Sequence, residues 1–82
     1  MFFYVYILEA EGSDFRKHFY VGRTSELHAR LAKHNAGEVS HTAKFKPWRI
    51  RTAIAFNEEA RAIAFERYLK SSSGRAFASK RF

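Results

Sequence analysis

Residues 2–8 read FFYVYIL, and this apolar run decides the fold. Every position except the final Leu8 is aromatic or β-branched, and such side chains are enriched in strands. An apolar run without polar alternation is typical of a strand that is buried on both faces. We therefore expect this strand to lie at the centre of its sheet.

A polar segment separates this run from a second short strand. Residues 9–17 are polar, and Gly12, Ser13 and Asp14 are typical turn residues. HFYVG at 18–22 has the composition of a strand. The two strands and their polar connection predict an antiparallel hairpin with a long loop.

A third strand is indicated by the alternation that runs from Trp48 to Phe56. A period of two places alternate residues on the same face of a sheet. The apolar face of this strand is predicted to carry Trp48, Ile50, Thr52, Ile54 and Phe56, while Arg49 and Arg51 lie on the opposite face.

The first helix is predicted between the second and third strands. Thr24 or Ser25 offers an N-cap, and Glu26 suits the positive end of the helix dipole in the first turn. The helix should end near Ala36, where Gly37 is a stop signal. The following residues up to 47 are predicted to form a basic loop.

The last third of the chain predicts a second helix and a short third one. Asn57 is a candidate N-cap, the helix should continue to about Ser71, and SSSG at 71–74 should break it. RAFASKRF at 75–82 is predicted to be helical, with Phe77 packed inward. The order β-β-α-β-α-(α) indicates an α/β class, specifically an α+β sandwich with a small three-stranded, mostly antiparallel sheet and flanking helices.

Length and composition limit the possible functions. The chain has 82 residues, which we interpret as one domain over 1–82, and its net charge is +7. No cysteine is present, which excludes disulfides, a thiol nucleophile and a cysteine zinc site. No apolar run approaches the roughly 18 residues of a membrane-spanning helix. Residues 1–8 are apolar but lack a basic leader and a small-residue cleavage site, so we do not expect them to be a signal peptide. The charge favours an anionic partner, which means nucleic acid, acidic membrane or acidic protein.

Five side chains are candidates for chemistry, although each has a simpler explanation when it is taken alone. Tyr6 and Tyr20 lie on predicted strands, where tyrosine commonly packs with its hydroxyl at the rim. Arg30 and His34 are one helical turn apart, beside an apolar face against which an Arg stem often lies. Glu66 is followed by a lysine four residues later, an exposed pair worth about 0.3–0.5 kcal/mol.

Together, the order and spacing of these residues resemble the GIY-YIG nuclease family. YVY at 4–6 stands in the place of the first signature triplet and YVG at 20–22 in the place of the second. Arg30, His34 and Glu66 follow at positions that match the family. The resemblance extends over essentially the whole chain and is greatest to the small stand-alone bacterial members. Their loop is similar to HTAKFKPW at 41–48, and their C-terminal segment is similar to AFERYLKSSSGRAFASKRF at 64–82.

The resemblance implies a metal-dependent endonuclease, a phosphodiesterase that acts on DNA in the cytoplasm. By this resemblance Tyr6 activates the attacking water and relays its proton to His34, and Tyr20 orients water or phosphate. The sequence does not decide whether Tyr6 or His34 is the final base. Arg30 binds the phosphate, and Glu66 is the single protein ligand of Mg²⁺ or Mn²⁺. A tyrosine is a weak base unless a cation or a neighbouring base assists it, which suits this division of roles. No membrane partner and no organic cofactor are expected.

The basic residues and the departures from the family pattern complete the expectations. The side chains expected to contact nucleic acid are Arg23, His41, Lys44, Lys46, Lys70 and Arg75. Low sequence specificity is expected, with branched or damaged DNA in repair or recombination as candidate substrates. Residues 70–82 contain no Asn, which many family members place near the end of the domain, and Tyr4 replaces the Gly of the first triplet.

Two alternatives to an enzyme stay open at this point. The absent Asn motivates a nucleic-acid-binding module with the same fold and little or no turnover. A basic adaptor for an acidic protein or polyanion would instead leave Tyr6, Arg30 and Glu66 scattered in space. The sequence does not distinguish a monomer from a homodimer.

Overall fold

A computed structural model describes residues 1–12 and 14–82. Along the chain the elements are β1 (Phe3–Glu11), β2 (Lys17–Thr24), α1 (Leu27–Asn35), a 3-10 turn (Ala43–Phe45), β3 (Arg49–Phe56), α2 (Glu59–Leu69) and α3 (Ser72–Arg81). The predicted order and the α+β class are confirmed. Ser13, one of the three predicted turn residues, lies outside the described residues.

The three strands form an antiparallel sheet in the order β2-β1-β3. The predicted central position of β1 is confirmed, since every residue from Val5 to Ala10 is buried. In the register between β1 and β2, Tyr6 lies opposite Gly22 and Leu8 lies opposite Tyr20. The hairpin therefore places both signature tyrosines on the same face of the sheet.

The face of the sheet that α2 and α3 cover carries one of the two buried apolar clusters. Val5 and Ile7 pack there with Ala62 and Leu69, and Phe77 of α3 packs against this cluster. The inward position predicted for Phe77 is therefore confirmed. On the opposite face, beneath α1, the buried residues are Tyr6, Leu8, Ala10 and Trp48.

The predicted face pattern of β3 is wrong because the pairing of β3 with β1 shifts between Ile7 and Leu8. Trp48 and Ile50 pack on the α1 face with Leu8, whereas Phe56 packs against the core under α2. An extra residue on one strand changes the face on which the following side chains point. The alternation in the sequence could not show this irregularity.

The shift leaves the two arginines of β3 on the face that also carries Glu9. Arg49 Nε donates to Glu9 Oε2 at 2.9 Å, and Arg51 Nη1 donates to Oε1 at 2.6 Å. The Glu9 side chain is 7% exposed, and these hydrogen bonds lower the pKa of its carboxyl to about 2. A buried carboxylate on the sheet is thus neutralised by two guanidinium groups.

The ends of α1 differ from the prediction in one respect. The helix begins at Leu27, so Glu26 occupies the N-cap position without a capping side-chain bond, and Thr24 is the last residue of β2. Thr24 still accepts a hydrogen bond from the Glu26 amide at 3.0 Å through its Oγ1. The helix ends at Asn35, and Gly37 has a φ of +78°, the left-handed conformation that glycine adopts most easily.

The ends of α2 are also shorter than predicted. The helix begins at Glu59 rather than directly after Asn57, and it ends at Leu69 rather than at Ser71. Ser71 instead caps α3, since its Oγ accepts a hydrogen bond from the Gly74 amide at 3.1 Å. The serine-rich segment therefore starts a helix as well as ending one.

Candidate active site

The side chains of Tyr6 and His34 meet in the interior, on the α1 face of the sheet. The Tyr6 hydroxyl lies 3.0 Å from Nε2 of His34. Tyr6 comes from the central strand and His34 from the last turn of α1, and they are 1% and 0% exposed. A buried polar pair of this kind is stable because each group satisfies the other.

Thr42 fixes the direction of the hydrogen bond between these two side chains. The Thr42 hydroxyl donates its single proton to the carbonyl oxygen of Val39 at 3.2 Å, so it must accept at its other contact. That contact is Nδ1 of His34 at 2.8 Å, which therefore carries the imidazole proton. Nε2 is then a lone-pair acceptor, and the Tyr6 hydroxyl donates to it.

The protonation state of His34 follows from its surroundings. Burial and the nearby positive charge of Arg30 lower the pKa of His34 below its ordinary value of 6.5. The imidazole is accordingly neutral at neutral pH. A neutral imidazole whose Nε2 lone pair faces the Tyr6 hydroxyl can accept the phenolic proton.

Arg30 provides the cationic contact to the same hydroxyl. Its Nε donates to the Tyr6 oxygen at 3.4 Å, and its side chain is partly buried. Burial raises the pKa of Tyr6 above its ordinary value, and the hydrogen bond and charge of Arg30 offset only part of this rise. The hydrogen bond to Tyr6 in turn raises the pKa of Arg30.

Gly22 makes room for the two tyrosines. A Cβ at this position would lie 2.4 Å from the Tyr6 hydroxyl oxygen and 2.9 Å from a ring carbon of Tyr20. The Tyr20 ring centre is 6.3 Å from that of Tyr6 and 4.8 Å from that of His34. The glycine of the second triplet is therefore a packing requirement of the site.

Burial separates the roles that the two tyrosines can take. The resemblance assigns both tyrosines roles at the attacking water or the phosphate, but Tyr6 is 1% exposed, whereas Tyr20 and Arg30 are partly buried. A group that approaches from solvent therefore reaches Tyr20 and Arg30 before it reaches Tyr6. The Tyr6 hydroxyl lies one layer deeper, in contact with His34.

Thr42 is a residue of the site that the sequence analysis missed. It is 1% exposed, and its carbonyl oxygen accepts a hydrogen bond from Nε1 of the buried Trp48 at 2.8 Å. Asn35 holds the same loop, since its side-chain amide bonds both the amide nitrogen and the carbonyl oxygen of Trp48. The one signal in the sequence was the likeness of residues 41–48 to the family loop.

Glu66 lies on α2 between two basic side chains. Its Oε1 accepts from Nε of Arg23 at 3.2 Å, and its Oε2 accepts from Nζ of Lys70 at 3.1 Å. Arg23 directly follows Gly22 and also donates to Glu59 at 3.4 Å. Glu66 is close enough to Tyr6 for its charge to act on the pKa of that hydroxyl, and its side chain is 19% exposed.

The residues near Glu66 fit a hydrated hard cation better than a cage of protein ligands. Within the described part of the chain, no three acidic or histidine side chains converge on a common point. Mg²⁺ usually retains several waters and is held by one or two carboxylates together with substrate phosphates. Glu66 is a single, partly exposed carboxylate and so fits a donor set of that type.

The six basic residues expected to contact nucleic acid lie in two places. Arg23, Lys70 and Arg75 lie on the side of the molecule formed by β2, α2 and α3, and Arg23 and Lys70 are engaged with Glu66. The exposed side chains of His41, Lys44 and Lys46 lie in the loop that also carries Thr42. Arg23, Lys70 and Arg75 therefore lie on the Glu66 side of Tyr6 and Tyr20, and the other three basic residues lie on the His34 side.

The site is suited to phosphate chemistry. It combines the Tyr6–His34 pair, Arg30 on the Tyr6 hydroxyl and the carboxylate of Glu66. Comparison with known families agrees, since the model of the GIY-YIG catalytic domain matches residues 2–80. The chain therefore belongs to the GIY-YIG family, whose domain is of the nuclease type.

A solved structure supports the same assignment. The UPF0213 protein BH0048 from Bacillus halodurans, determined in solution by NMR, is similar with a TM-score of 0.55 and 29% sequence identity. The match covers 98% of this chain and 84% of that one. No curated protein matches significantly. Over residues 1–12 and 14–82, no helix is long and apolar enough to cross a membrane.

Proposed function

We propose that this protein is a metal-dependent endonuclease that hydrolyses phosphodiester bonds in DNA. The observation that carries the proposal is the directed chain from the Tyr6 hydroxyl through His34 to Thr42, with Arg30 on the same hydroxyl. Membership of the GIY-YIG family supports the reaction class. The contact between Tyr6 and Arg30 argues against a basic adaptor with scattered residues.

In this proposal Tyr6 acts as the general base through His34. His34 Nε2 takes the phenolic proton of Tyr6, and the Arg30 guanidinium stabilises the resulting phenolate oxygen. The phenolate then takes a proton from the attacking water, whose oxygen forms the new bond to phosphorus. The bond from phosphorus to the leaving oxygen breaks, that oxygen takes up a proton, and protonated His34 releases a proton to solvent, so the site returns to its starting state.

Arg30 connects the buried base with the substrate. It is partly buried and already touches Tyr6, so it can bind a non-bridging phosphate oxygen from the solvent side. Tyr6 is 1% exposed, so the phosphate and the attacking water approach its hydroxyl through the opening at Arg30, which retains its contact with that hydroxyl. Tyr20, beside the same opening, orients the phosphate or the water.

Glu66 would hold the divalent cation, Mg²⁺ or Mn²⁺. When bound there, the cation supplies electrostatic stabilisation of the charge that develops on the phosphate oxygens. Arg23 and Lys70 neutralise the Glu66 carboxylate in the structure described here, and they are free to contact DNA phosphates when the carboxylate binds metal.

The substrate in this proposal is recognised mainly through its phosphates. Phosphate contacts position a protein on DNA without reading sequence, and the basic side chains on both sides of the site are suited to them. We therefore assign low sequence specificity, with branched or damaged DNA of repair and recombination as the substrates to test first.

Glu66→Gln tests the proposal directly, with Glu59→Gln as the matched control. Both residues lie on α2 and accept from Arg23, but Glu59 is exposed at the start of the helix. Labelled single-strand, duplex, flap and junction DNA are incubated with Mg²⁺, Mn²⁺ or EDTA. We expect cleavage by the wild-type and Glu59→Gln proteins with metal, and none by Glu66→Gln or in EDTA.

Two other outcomes would redirect the assignment. Cleavage that is equal in EDTA, or equal in Glu66→Gln, would rule out the metal role of Glu66. Tight, salt-sensitive DNA binding without cleavage of any substrate would instead favour a nucleic-acid-binding module. The absence of Asn from residues 70–82 is the observation that motivates this alternative.

A further inference from the structure

A second concave surface lies on the face of the sheet opposite Tyr6 and His34. It is a groove of about 630 Å³ between β2 and the α2–α3 pair. Its floor is apolar and includes Ile7 and Val21 from the sheet and Leu69 and Ala78 from the helices. The proposed function gives Lys70 and Arg75 at this groove contacts with DNA phosphates, but it assigns no ligand to the groove itself.

The rim of the groove is cationic. Arg51, Lys70 and Arg75 line it, and no acidic side chain is among the described residues that do so. An apolar floor under a rim of one charge suits a ligand that is flat and apolar in one part and anionic in another. A nucleotide has these properties, since its base is a flat ring and its phosphate is an anion.

An exposed aromatic ring forms one wall of the groove. Phe19 is 54% exposed, although it lies on a strand, and the guanidinium carbon of Arg51 is 5.5 Å from its ring centre. Glu9 fixes the position of Arg51 by accepting from its Nη1. The ring and the guanidinium are therefore a prepared pair on which a planar group could stack.

The groove is continuous with the candidate active site. Lys70 lines the groove and donates to Glu66. Tyr20 on the edge strand β2 also lines the groove, although its ring lies on the other face of the sheet, 4.8 Å from that of His34. A strand whose phosphate lies at Arg30 and Glu66 can thus continue into the groove along the edge formed by β2.

We propose that this groove binds unpaired nucleobases of the DNA strand that is cut, stacked on Phe19 with their phosphates against Arg51, Lys70 and Arg75. The volume is in the range of small-ligand sites and accepts a nucleotide but not a duplex. The proposal rests on the proposed nuclease function and makes its substrate one with a single-stranded segment beside the cut.

The test measures binding without cleavage. Fluorescence anisotropy of a labelled ten-residue oligothymidylate in EDTA compares the wild-type protein with Phe19→Ala, Phe19→Leu and Phe19→Tyr. Stacking on an aromatic ring changes single-strand affinity by roughly 5- to 150-fold per base. We expect a loss of that size in the Ala and Leu variants and near wild-type affinity in the Tyr variant. Since Phe19 is exposed, none of these changes should unfold the protein.

The salt dependence of binding provides an independent test of the rim. Each phosphate contact with single-stranded DNA contributes about 0.7 to the slope of log affinity against log salt. Arg75→Ala should lower the slope by about that amount. Lys80→Ala on the same helix removes an exposed charge that does not line the groove, so it should leave the slope unchanged.

The outcomes separate this inference from the proposed function. The inference would be overturned if Phe19→Leu bound oligothymidylate as tightly as the wild type, or if Arg75→Ala had the wild-type salt slope. Preferential binding of an acidic peptide, or self-association through the groove, would also overturn it. None of these results would affect metal-dependent cleavage of duplex DNA. Conversely, if binding depends on Phe19 but the protein cuts no DNA, the groove is a binding site for unpaired nucleobases and the nuclease proposal is refuted.

Discussion

The Tyr6 hydroxyl and Nε2 of His34 are 3.0 Å apart in the interior, although the two residues are 28 positions apart in the chain. Because Thr42 accepts the Nδ1 proton of His34, the tyrosine is the donor in this contact. The direction of this hydrogen bond is the basis of the proposed mechanism, and most of the following predictions depend on it.

The pH dependence of cleavage should reflect the buried imidazole. Protonated His34 cannot accept the Tyr6 proton, so activity should rise with pH through a pKa below 6.5 and then reach a plateau. Initial cleavage rates across the acid and neutral range measure this. His28→Gln, on the exposed face of α1, should leave the profile unchanged. An inflection above 6.5 would contradict the neutral state assigned to His34.

Thr42→Val should impair cleavage by removing the acceptor that holds the His34 proton on Nδ1. The variant also leaves a buried N–H without a partner, which destabilises the fold by about 1–3 kcal/mol. Thr42→Ser retains the hydroxyl and should restore both the rate and the pH profile. Cleavage rates, pH profiles and thermal melts of the two variants make the comparison. A Val variant with the wild-type pH profile would show that Thr42 does not position His34.

Gly22→Ala should displace the Tyr6 hydroxyl, since the new methyl group would lie 2.4 Å from its oxygen. Overpacking of this kind costs about 1–3 kcal/mol, and the cleavage rate should fall with it. Gly12→Ala is a milder control because its 3.0 Å contact is with the end of the Asp14 side chain. Thermal melts and cleavage rates at a temperature where both proteins are folded test this. A fully active Gly22→Ala protein would be inconsistent with the packing described.

Glu9 should make the stability of the protein sensitive to acid. Its carboxyl has a pKa of about 2 in the folded state against an ordinary value of 4.5. The unfolded chain binds a proton more readily between these values, so the free energy of unfolding should decrease as the pH falls from 4.5 to 2. Chemical denaturation at several pH values should show a shallower dependence for Glu9→Gln. The exposed carboxylate of Glu11 gives the control, Glu11→Gln.

Much of the fold could be predicted because its strongest signal is local. The run at 2–8 has no polar residue to place at a surface, and this predicted the central strand. The face pattern of β3 was not predictable, since the register shift between Ile7 and Leu8 depends on the partner strand. The serine cap of α3 was missed because Ser71 was interpreted as part of a break.

The residues of the candidate site could be predicted from their spacing in the sequence, but the burial of their side chains could not. The helical spacing of Arg30 and His34 placed both beside the apolar face of α1, and the structure brings both to Tyr6. The burial of Tyr6 required the packing of Gly22 and α1, which no local pattern encodes. Thr42 lies in an irregular loop, where the direction of a side chain depends on tertiary contacts.

The most direct test of the account is the single-turnover cleavage rate of Tyr6→Phe with Mg²⁺ on a labelled DNA that the wild-type protein cuts. The variant loses only the hydroxyl, and Tyr4→Phe on the same strand is the matched control. If Tyr6 is the general base, the rate should fall by about 10²–10⁴-fold, while Tyr4→Phe stays near wild type. A Tyr6→Phe protein that cleaves within about twofold of the wild-type rate, well short of a general-base effect, would contradict the central claim.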